Sequence, residues 1–185
     1  MRELVRISAK IRDGHYDYAM IIKSVWSKDA GIPAAPVGDD IPEGALPKPF
    51  IDKDNKRMML CRAEYNGERL VTTMFKTPAA SASELPEAKT FKLESGKAWR
   101  NFSYDDVIKY VDAVGDPNPL HRSEHPVVPG MCVMEAIKDS LPADITELAL
   151  SFRAAVFTDE DLVLEAADGK VTLTGREVFI SGTYK

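Results

Sequence analysis

VDAVGDPNPLH, residues 111–121, joins a helical pattern to a stiff polar turn and decides how the rest of the chain is understood. Pro117 and Pro119 fix φ and remove two backbone donors, so a helix that reaches Gly115 cannot continue through this segment. Aspartate and asparagine are common turn residues, and neither needs a function when it stands alone. Together with a histidine at this spacing they indicate a functional site. The polar members of the turn are Asp116, Asn118 and His121.

Two helices are predicted around this turn. The first, FSYDDVIKYVDAV (residues 102–114), has Ser103 followed three residues later by Asp106, which is close to a capping box, and it ends at Gly115. The second, GMCVMEAIKDSLP (residues 130–142), repeats apolar residues at a period of three to four and is stopped by Pro142. Its methionines are predicted to fill the core, because methionine packs well into irregular gaps.

Four strands are predicted after the second helix. The segments are ELALSFRAAVF, DLVLEA, KVTLTG and EVFISGTY, joined by short turns such as Asp168-Gly169. A helix followed by an antiparallel meander is an α+β layout, in which the sheet must curl around the helix to bury it.

The first half of the chain is predicted to be β-rich. LVRISAKIR and HYDYAMIIKSVW flank Asp13-Gly14, and KRMMLCRAEY and ERLVTTMFKT flank Asn66-Gly67, as in two β-hairpins. HYDYAMIIKSVW is favoured as a strand, with an amphipathic helix as the alternative. Residues 30–55 are proline-rich and predict a long loop.

A linker is predicted between the two halves. TPAASASELPEA, residues 77–88, is small, polar and flanked by prolines. The predicted division is a β-rich N-terminal half at residues 1–87 and a C-terminal domain at residues 88–185.

Composition excludes several classes of partner. The net charge of −5 gives no cationic field for nucleic acid or an anionic membrane surface, so neither is an expected partner. The chain shows neither a signal peptide nor a transmembrane stretch, and a cytoplasmic location is expected. Cys61 and Cys132 lack CxxC spacing, so both are expected to be reduced and buried, and no metal site is predicted.

The turn resembles a known family. GDPNPLH, followed by PVVPGM at the start of a helix and then by LSFRAAVFTDEDLVLEA, resembles the MaoC-like or (R)-specific enoyl-CoA hydratase family of hot-dog-fold proteins. The family pattern is Gly-Asp-x-Asn-Pro-aliphatic-His, then Gly-Met opening the central helix. The resemblance covers residues 88–185. It implies a hot-dog fold, and it makes residues 1–87 a candidate for a first, degenerate hot dog without the catalytic motif, although no central helix is predicted there.

The residue types suit the chemistry that the resemblance implies. Hydrating an unsaturated thioester requires an activated water, and Asp116 and His121 can hold one water between them. The start of the second helix presents free N–H groups, so Gly130 or Met131 is a natural oxyanion donor. The resemblance implies the same roles, with Asn118 bracing the loop. No cofactor is expected, since coenzyme A or acyl carrier protein would carry the substrate as a thioester.

Two features depart from the family pattern and leave alternatives open. The link from His121 to Gly130 is nine residues, shorter than in most members, and Pro129 stands where the family usually has histidine. In the family this link helps to wall the acyl pocket. A shorter link fits a different acyl chain, a different carrier, or an acyl-thioester-binding protein without turnover. A hot-dog thioesterase is a third reading, for which Glu135 is the candidate carboxylate, although its position on the second helix predicts a solvated face.

A homodimer is the expected assembly. A single hot dog has an open sheet edge and half a binding site, and a dimer completes both. A degenerate first unit within residues 1–87 would satisfy that need inside one chain and leave dimerisation weak.

Overall fold

The computed structural model describes residues 1–12, 18–34, 46–77, 91–94 and 96–185. The helices α1, α2 and α3 and the strands β1 to β8 have these bounds: α1 Arg2–Ala9, β1 Tyr18–Lys28, β2 Phe50–Asp54, β3 Met58–Tyr65, β4 Glu68–Thr77, α2 Tyr104–Val114, α3 Gly130–Ser140, β5 Glu147–Phe152, β6 Val163–Ala167, β7 Lys170–Thr174 and β8 Val178–Tyr184. Short 3₁₀ helices lie at Lys10–Arg12 and Pro119–Arg122. None of the helices in the described ranges has the length and apolar character needed to cross a bilayer.

The described strands form one antiparallel sheet in the order β2-β3-β4-β1-β5-β8-β7-β6. The predicted α+β layout is confirmed; of the four predicted strands after the second helix, β6, β7 and β8 form a meander, while β5 pairs with β8 and β1. Reading outward from the middle, the first half has the order β1-β4-β3-β2 and the second half has β5-β8-β7-β6. In the described residues of each half, four strands follow a helix and pair in the same succession, and the second half has the additional helix α2 before α3.

The two halves meet at the antiparallel pair β1 and β5. In this seam Trp26 lies opposite Leu148, and both side chains are fully buried. The central helix α3 buries most of its apolar residues in the same core, including Met131, Met134 and Ile137. The sheet and core are therefore continuous across the two halves. The predicted linker falls almost wholly in residues 78–90, outside the described residues, so the domain division stays a prediction.

The predicted strand at residues 4–12 is wrong. Residues 2–9 form helix α1, which packs against β3 and β4 and buries Leu4, Val5 and Ile7. Helix α1 was thus not predicted, and whether it corresponds to the central helix of a first hot dog stays a prediction of the family resemblance. The predicted Asp13-Gly14 turn lies outside the described residues. HYDYAMIIKSVW does contain the favoured strand, β1.

A second correction concerns the long loop predicted at residues 30–55, since residues 50–54 within it form strand β2. Every side chain of β2 is exposed, so its sequence lacks the alternation of apolar and polar residues that predicts a half-buried strand. The Asn66-Gly67 hairpin is confirmed, with positive φ at both turn residues. Cys61 and Cys132 are buried and unbridged, as expected. Burial raises the pKa of the Cys132 thiol to about 12, which keeps it protonated and unreactive.

Candidate active site

The GDPNPLH turn is built from its own side chains. Helix α2 ends at Gly115, whose φ of 68° is left-handed, and the Asp116 N–H then donates back to Val111 O at 3.0 Å. Asp116 Oδ1 accepts from the Asn118 N–H at 3.0 Å, and Asn118 Oδ1 accepts from the Leu120 N–H at 3.1 Å. These bonds start the 3₁₀ helix Pro119–Arg122 and fix the direction in which it carries His121.

The turn brings Asp116 and His121 together. His121 Nε2 lies 3.8 Å from Asp116 Oδ2, and both side chains are more than nine-tenths buried. The other ring nitrogen, Nδ1, lies 2.7 Å from the carbonyl oxygen of Val127. A carbonyl only accepts hydrogen bonds, so Nδ1 carries the proton and donates it. In the neutral ring Nε2 is therefore an acceptor that faces a carboxylate across a gap.

The nine-residue link from His121 to Gly130 is pinned to the segment before β6. The Val128 N–H donates to Val156 O at 2.8 Å, and the Thr158 N–H donates to Pro126 O at 3.1 Å. The link also holds its own start, since the Val127 N–H donates to Leu120 O at 3.1 Å. The carbonyl that orients His121 thus belongs to a fixed stretch of backbone.

A buried carboxylate supports that fixed stretch. Glu160 is fully buried, accepts from the Phe157 N–H at 2.8 Å and pairs with Arg176. Burial raises the pKa of Glu160, while the Phe157 N–H and Arg176 act in the opposite direction. Glu160 lies in the acidic run Asp159–Glu160–Asp161, which begins in a turn where Asp159 has a left-handed φ of 63°. Sequence reasoning missed the anchoring role of Glu160 inside that run.

Helix α3 begins beside the turn, as predicted. Pro129 is its N-cap and makes no side-chain capping bond, so the first N–H groups of the helix have no cap from that residue. A Cβ added at Gly130 would lie 3.1 Å from Phe152 Cε1 and 3.7 Å from Ile21 Cδ1. Glycine therefore allows the helix start to approach the β1–β5 seam closely. This places the two candidate oxyanion donors, Gly130 and Met131, at the junction of the halves.

A small cavity connects the turn to the N-terminal half. Asp116 and Met131 line it from the second half, and seven residues of α1, β1, β3 and β4 line the remainder. Its volume of about 20 Å³ suits one enclosed water, since a water needs roughly 10–15 Å³. Sites for small molecules are usually about 300–1,000 Å³. An acyl chain would enter only if these walls move apart.

The prediction that Glu135 lies on a solvated face is wrong. Its side chain is only 12% exposed, because Arg2 of α1 pairs with it at 2.7 Å and the Tyr110 hydroxyl of α2 donates to it at 3.3 Å. It borders a larger cavity of about 220 Å³ between α1, α2 and α3, which carries charges of both signs. A carboxylate held by arginine is less free to act as a general base.

Solved structures of similar fold match nearly the whole of this chain. HtdX from Mycobacterium tuberculosis aligns over 98% of this chain and 83% of its own, with 13% identity and a TM-score of 0.57. A MaoC-like dehydratase aligns over 98% of this chain and 82% of its own, with 12% identity and a TM-score of 0.55. The chain has the hot-dog fold of the MaoC-like dehydratases. No protein-family model and no curated protein sequence matches it.

A third structural match is a longer protein. The full-length peroxisomal multifunctional enzyme type 2 from Drosophila melanogaster aligns over 100% of this chain, which spans 40% of that enzyme, with 14% identity and a TM-score of 0.52. At such identities the likeness defines the hot-dog fold and leaves the activity to be argued from the site.

The predicted site residues differ in how closely the structure brings them together. Asp116 and His121 face each other, Asn118 stabilises the turn, and Met131 shares a cavity with Asp116. Besides Glu160, two contributors were missed by sequence reasoning. The Val127 carbonyl had no side-chain signal, and Ser8, which lines the cavity, lay in a segment predicted to be a strand.

Proposed function

We propose that this protein catalyses the reversible addition of water to an α,β-unsaturated acyl thioester, and so acts as an enoyl-thioester hydratase and 3-hydroxyacyl-thioester dehydratase. One observation supports this above all others. Two buried acceptors, Asp116 Oδ2 and His121 Nε2, lie 3.8 Å apart, and the second is held in a defined tautomer by Val127. The hot-dog fold shared with MaoC-like dehydratases adds support.

The proposed reaction follows from the geometry of these acceptors. A water between them donates one hydrogen to Asp116 and one to His121, which leaves its oxygen lone pairs for attack on the β-carbon. One of the two acceptors takes a proton from that water and returns a proton to the α-carbon. The dehydration runs through the same positions in reverse.

The thioester oxygen needs a separate partner. Negative charge develops on this oxygen as water adds, and N–H groups at a helix start stabilise such charge. We assign this role to the N–H of Gly130 or Met131, which open α3 beside Asp116.

The proposed substrate is an acyl chain on coenzyme A or acyl carrier protein. Adding water to the double bond requires no change in overall oxidation state, so the proposal includes no redox cofactor. The (R) configuration of the 3-hydroxy product is proposed from the family resemblance of the GDPNPLH turn.

The test is loss of the conjugated-thioester absorbance when the purified protein meets a short enoyl-CoA. Asp116→Asn and His121→Ala are each expected to lower kcat/KM by about 10²-fold or more, because each removes a proton acceptor. His125→Ala is the matched control, since His125 is an exposed histidine in the same link. It should leave the rate unchanged. Far-ultraviolet circular dichroism checks that the variants fold.

Other outcomes would change the proposed function or the residues assigned to it. A wild type that binds enoyl-CoA without hydrating it would make the protein an acyl-thioester-binding module. Release of free thiol from an acyl-CoA would make it a thioesterase. Unchanged rates in both Asp116→Asn and His121→Ala would remove the pair from the mechanism.

A further inference from the structure

We propose that Ser8 of helix α1 is a positioning residue that holds the reacting water against Asp116. The inference rests on the proposed function and deepens it, because it adds a group from the N-terminal half to a site whose other members lie in the second half. No feature of the sequence pointed to Ser8.

The first observation is an unsatisfied hydroxyl. Ser8 Oγ is enclosed by protein and has no hydrogen-bond partner within the described ranges of the chain. Leaving a buried polar group unpaired costs about 1–3 kcal/mol, so native proteins usually pair such groups with protein or with ordered water. A partner for this hydroxyl is therefore expected inside the fold.

The second observation is the position of that hydroxyl. Ser8 and Asp116 both line the cavity of about 20 Å³, which has room for one enclosed water. A buried water needs two to four polar partners. Thr72 also lines the cavity, and its hydroxyl oxygen already accepts from Ser24 at 3.2 Å, which leaves the Thr72 proton to donate. The cavity is thus polar enough to be wet, and Ser8 is the member whose bonding depends on the water.

The arrangement suits the proposed reaction. Asp116 lines the cavity and accepts one hydrogen of the water. His121 is not part of the cavity lining, but its Nε2 lies 3.8 Å from Asp116 Oδ2, and the proposal assigns the second hydrogen to it. The Ser8 hydroxyl donates to one lone pair of the water oxygen. The second lone pair is then directed at the β-carbon of the substrate. Ser8 neither gains nor loses a proton in the cycle, since it fixes the orientation of the water and the protons move between water, the acceptor pair and the α-carbon.

The first experiment tests directly whether a water is bound in the cavity, and it does not depend on enzymatic turnover. High-resolution crystal structures of the wild type and of Ser8→Val are compared at the cavity. The wild type should show a water within hydrogen-bonding distance of Ser8 Oγ and an Asp116 carboxylate oxygen, and Ser8→Val should lack it. A dry cavity in the wild type, or a water bound equally well in Ser8→Val, overturns the proposal.

The second experiment uses two variants of nearly the same shape. Ser8→Thr keeps the hydroxyl, and Ser8→Val replaces it with a methyl group, so packing changes affect both alike. We expect kcat on a short enoyl-CoA to be at least about tenfold lower in Ser8→Val than in Ser8→Thr, with KM within about twofold, because the lost contact orients the nucleophile. Equal kcat values in the two variants would overturn the role.

Two checks separate the role of the Ser8 hydroxyl from the effect of side-chain bulk and from the proposed function itself. Ser8→Ala removes the hydroxyl and adds no atoms, so it should lose kcat as Ser8→Val does. A wild-type kcat in Ser8→Ala would assign the loss in Ser8→Val to added bulk and would overturn the role of the hydroxyl. A wild type that fails to hydrate enoyl-CoA contradicts the proposed function, and the crystal structures then decide alone whether Ser8 and Asp116 share a water.

Discussion

His121 shows how one backbone carbonyl can define the chemistry of a side chain. The Val127 carbonyl oxygen accepts a hydrogen bond from the Nδ1–H group and thereby directs the basic lone pair of Nε2 towards Asp116. That carbonyl lies in the short link to α3, which is bonded at Val128 and Thr158 to the segment before β6. A shortened link therefore still orients the imidazole.

Asn118 allows the turn to be tested without removing a proton acceptor. Asn118→Ala deletes the oxygen that accepts from the Leu120 N–H, and loss of such a cap typically costs about 1 kcal/mol. For Asn118→Ala we expect a free energy of unfolding lower by about that amount. We also expect a lower kcat, because His121 lies in the 3₁₀ helix that Asn118 caps. Urea denaturation and the hydratase assay measure the two effects.

The control for Asn118 keeps an acceptor. Asn118→Ser can still cap the 3₁₀ helix, so it should retain more stability and more activity than Asn118→Ala. If both variants match the wild type, Asn118 does not support the turn.

At the residue level, sequence reasoning succeeded where the site is local. Asp116, Asn118 and His121 stand within one turn whose shape is set by its own prolines, glycine and side-chain bonds. Ser8 lies more than a hundred positions from Asp116, and only the packing of α1 on the sheet brings them to one cavity. No local pattern could report that proximity.

The capping box at the start of α2 gives a prediction with a defined pH dependence. Hydrogen bonds from the Ser103 side chain and backbone lower the pKa of Asp106. A lowered folded-state pKa means that the stabilising contribution is complete above the ordinary aspartate pKa and is lost as pH falls through the lower folded value. Asp106→Asn should therefore lower stability by about 0.5–1 kcal/mol at neutral pH, with the difference vanishing in strong acid.

Asp105 is the matched control for this test. It is an acidic residue in the same first turn, so Asp105→Asn removes the same charge from the helix start without removing the capping-box partner of Ser103. Urea midpoints at neutral and acidic pH should separate the two variants. Equal losses at neutral pH would assign the effect to charge near the helix start instead of the cap.

At the element level, the predicted and observed structures differ where the signal was ambiguous or missing. In α1 and the 3₁₀ helix after it, the apolar residues Val5, Ile7, Ala9 and Ile11 alternate, as in a strand. The eight residues of α1 are too few for the helical period to dominate. Packing against β3 and β4 decides in favour of the helix. Strand β2 is formed by backbone pairing with β3 at the sheet edge, and its exposed side chains carry no periodic pattern. The helices α2 and α3, with clear stops at Gly115 and Pro142, were predictable.

The shared sheet predicts that both halves unfold together. Trp26 of β1 is fully buried in the seam, and Trp99 lies before α2, where its Nε1 donates to Ser140 Oγ at 3.1 Å. These are the two tryptophans of the chain. The variants Trp99→Phe and Trp26→Phe therefore leave one fluorescent reporter in each half. In each variant the fluorescence midpoint should coincide with the circular dichroism midpoint.

Separate midpoints would show that the seam does not couple the halves, and would favour the predicted division into two domains with independent stability. Trp26→Phe is also expected to lower the midpoint more than Trp99→Phe, because it removes volume from the core of the seam. Homodimer formation stays a prediction. The internal pairing of β1 with β5 already extends the sheet within one chain.

The repeated strand order allows substrate range and reactivity to be altered through different halves of the chain. For the proposed reaction, proton transfer depends on a turn in residues 91–185, whereas most of the cavity wall belongs to residues 1–77. Substitutions at wall positions such as Ile21, Cys61 and Met74 can change the size of the acyl group admitted while the proton-handling pair stays intact. Apart from Ser8, the wall residues of the first half can therefore be varied without changing a residue assigned to the reaction.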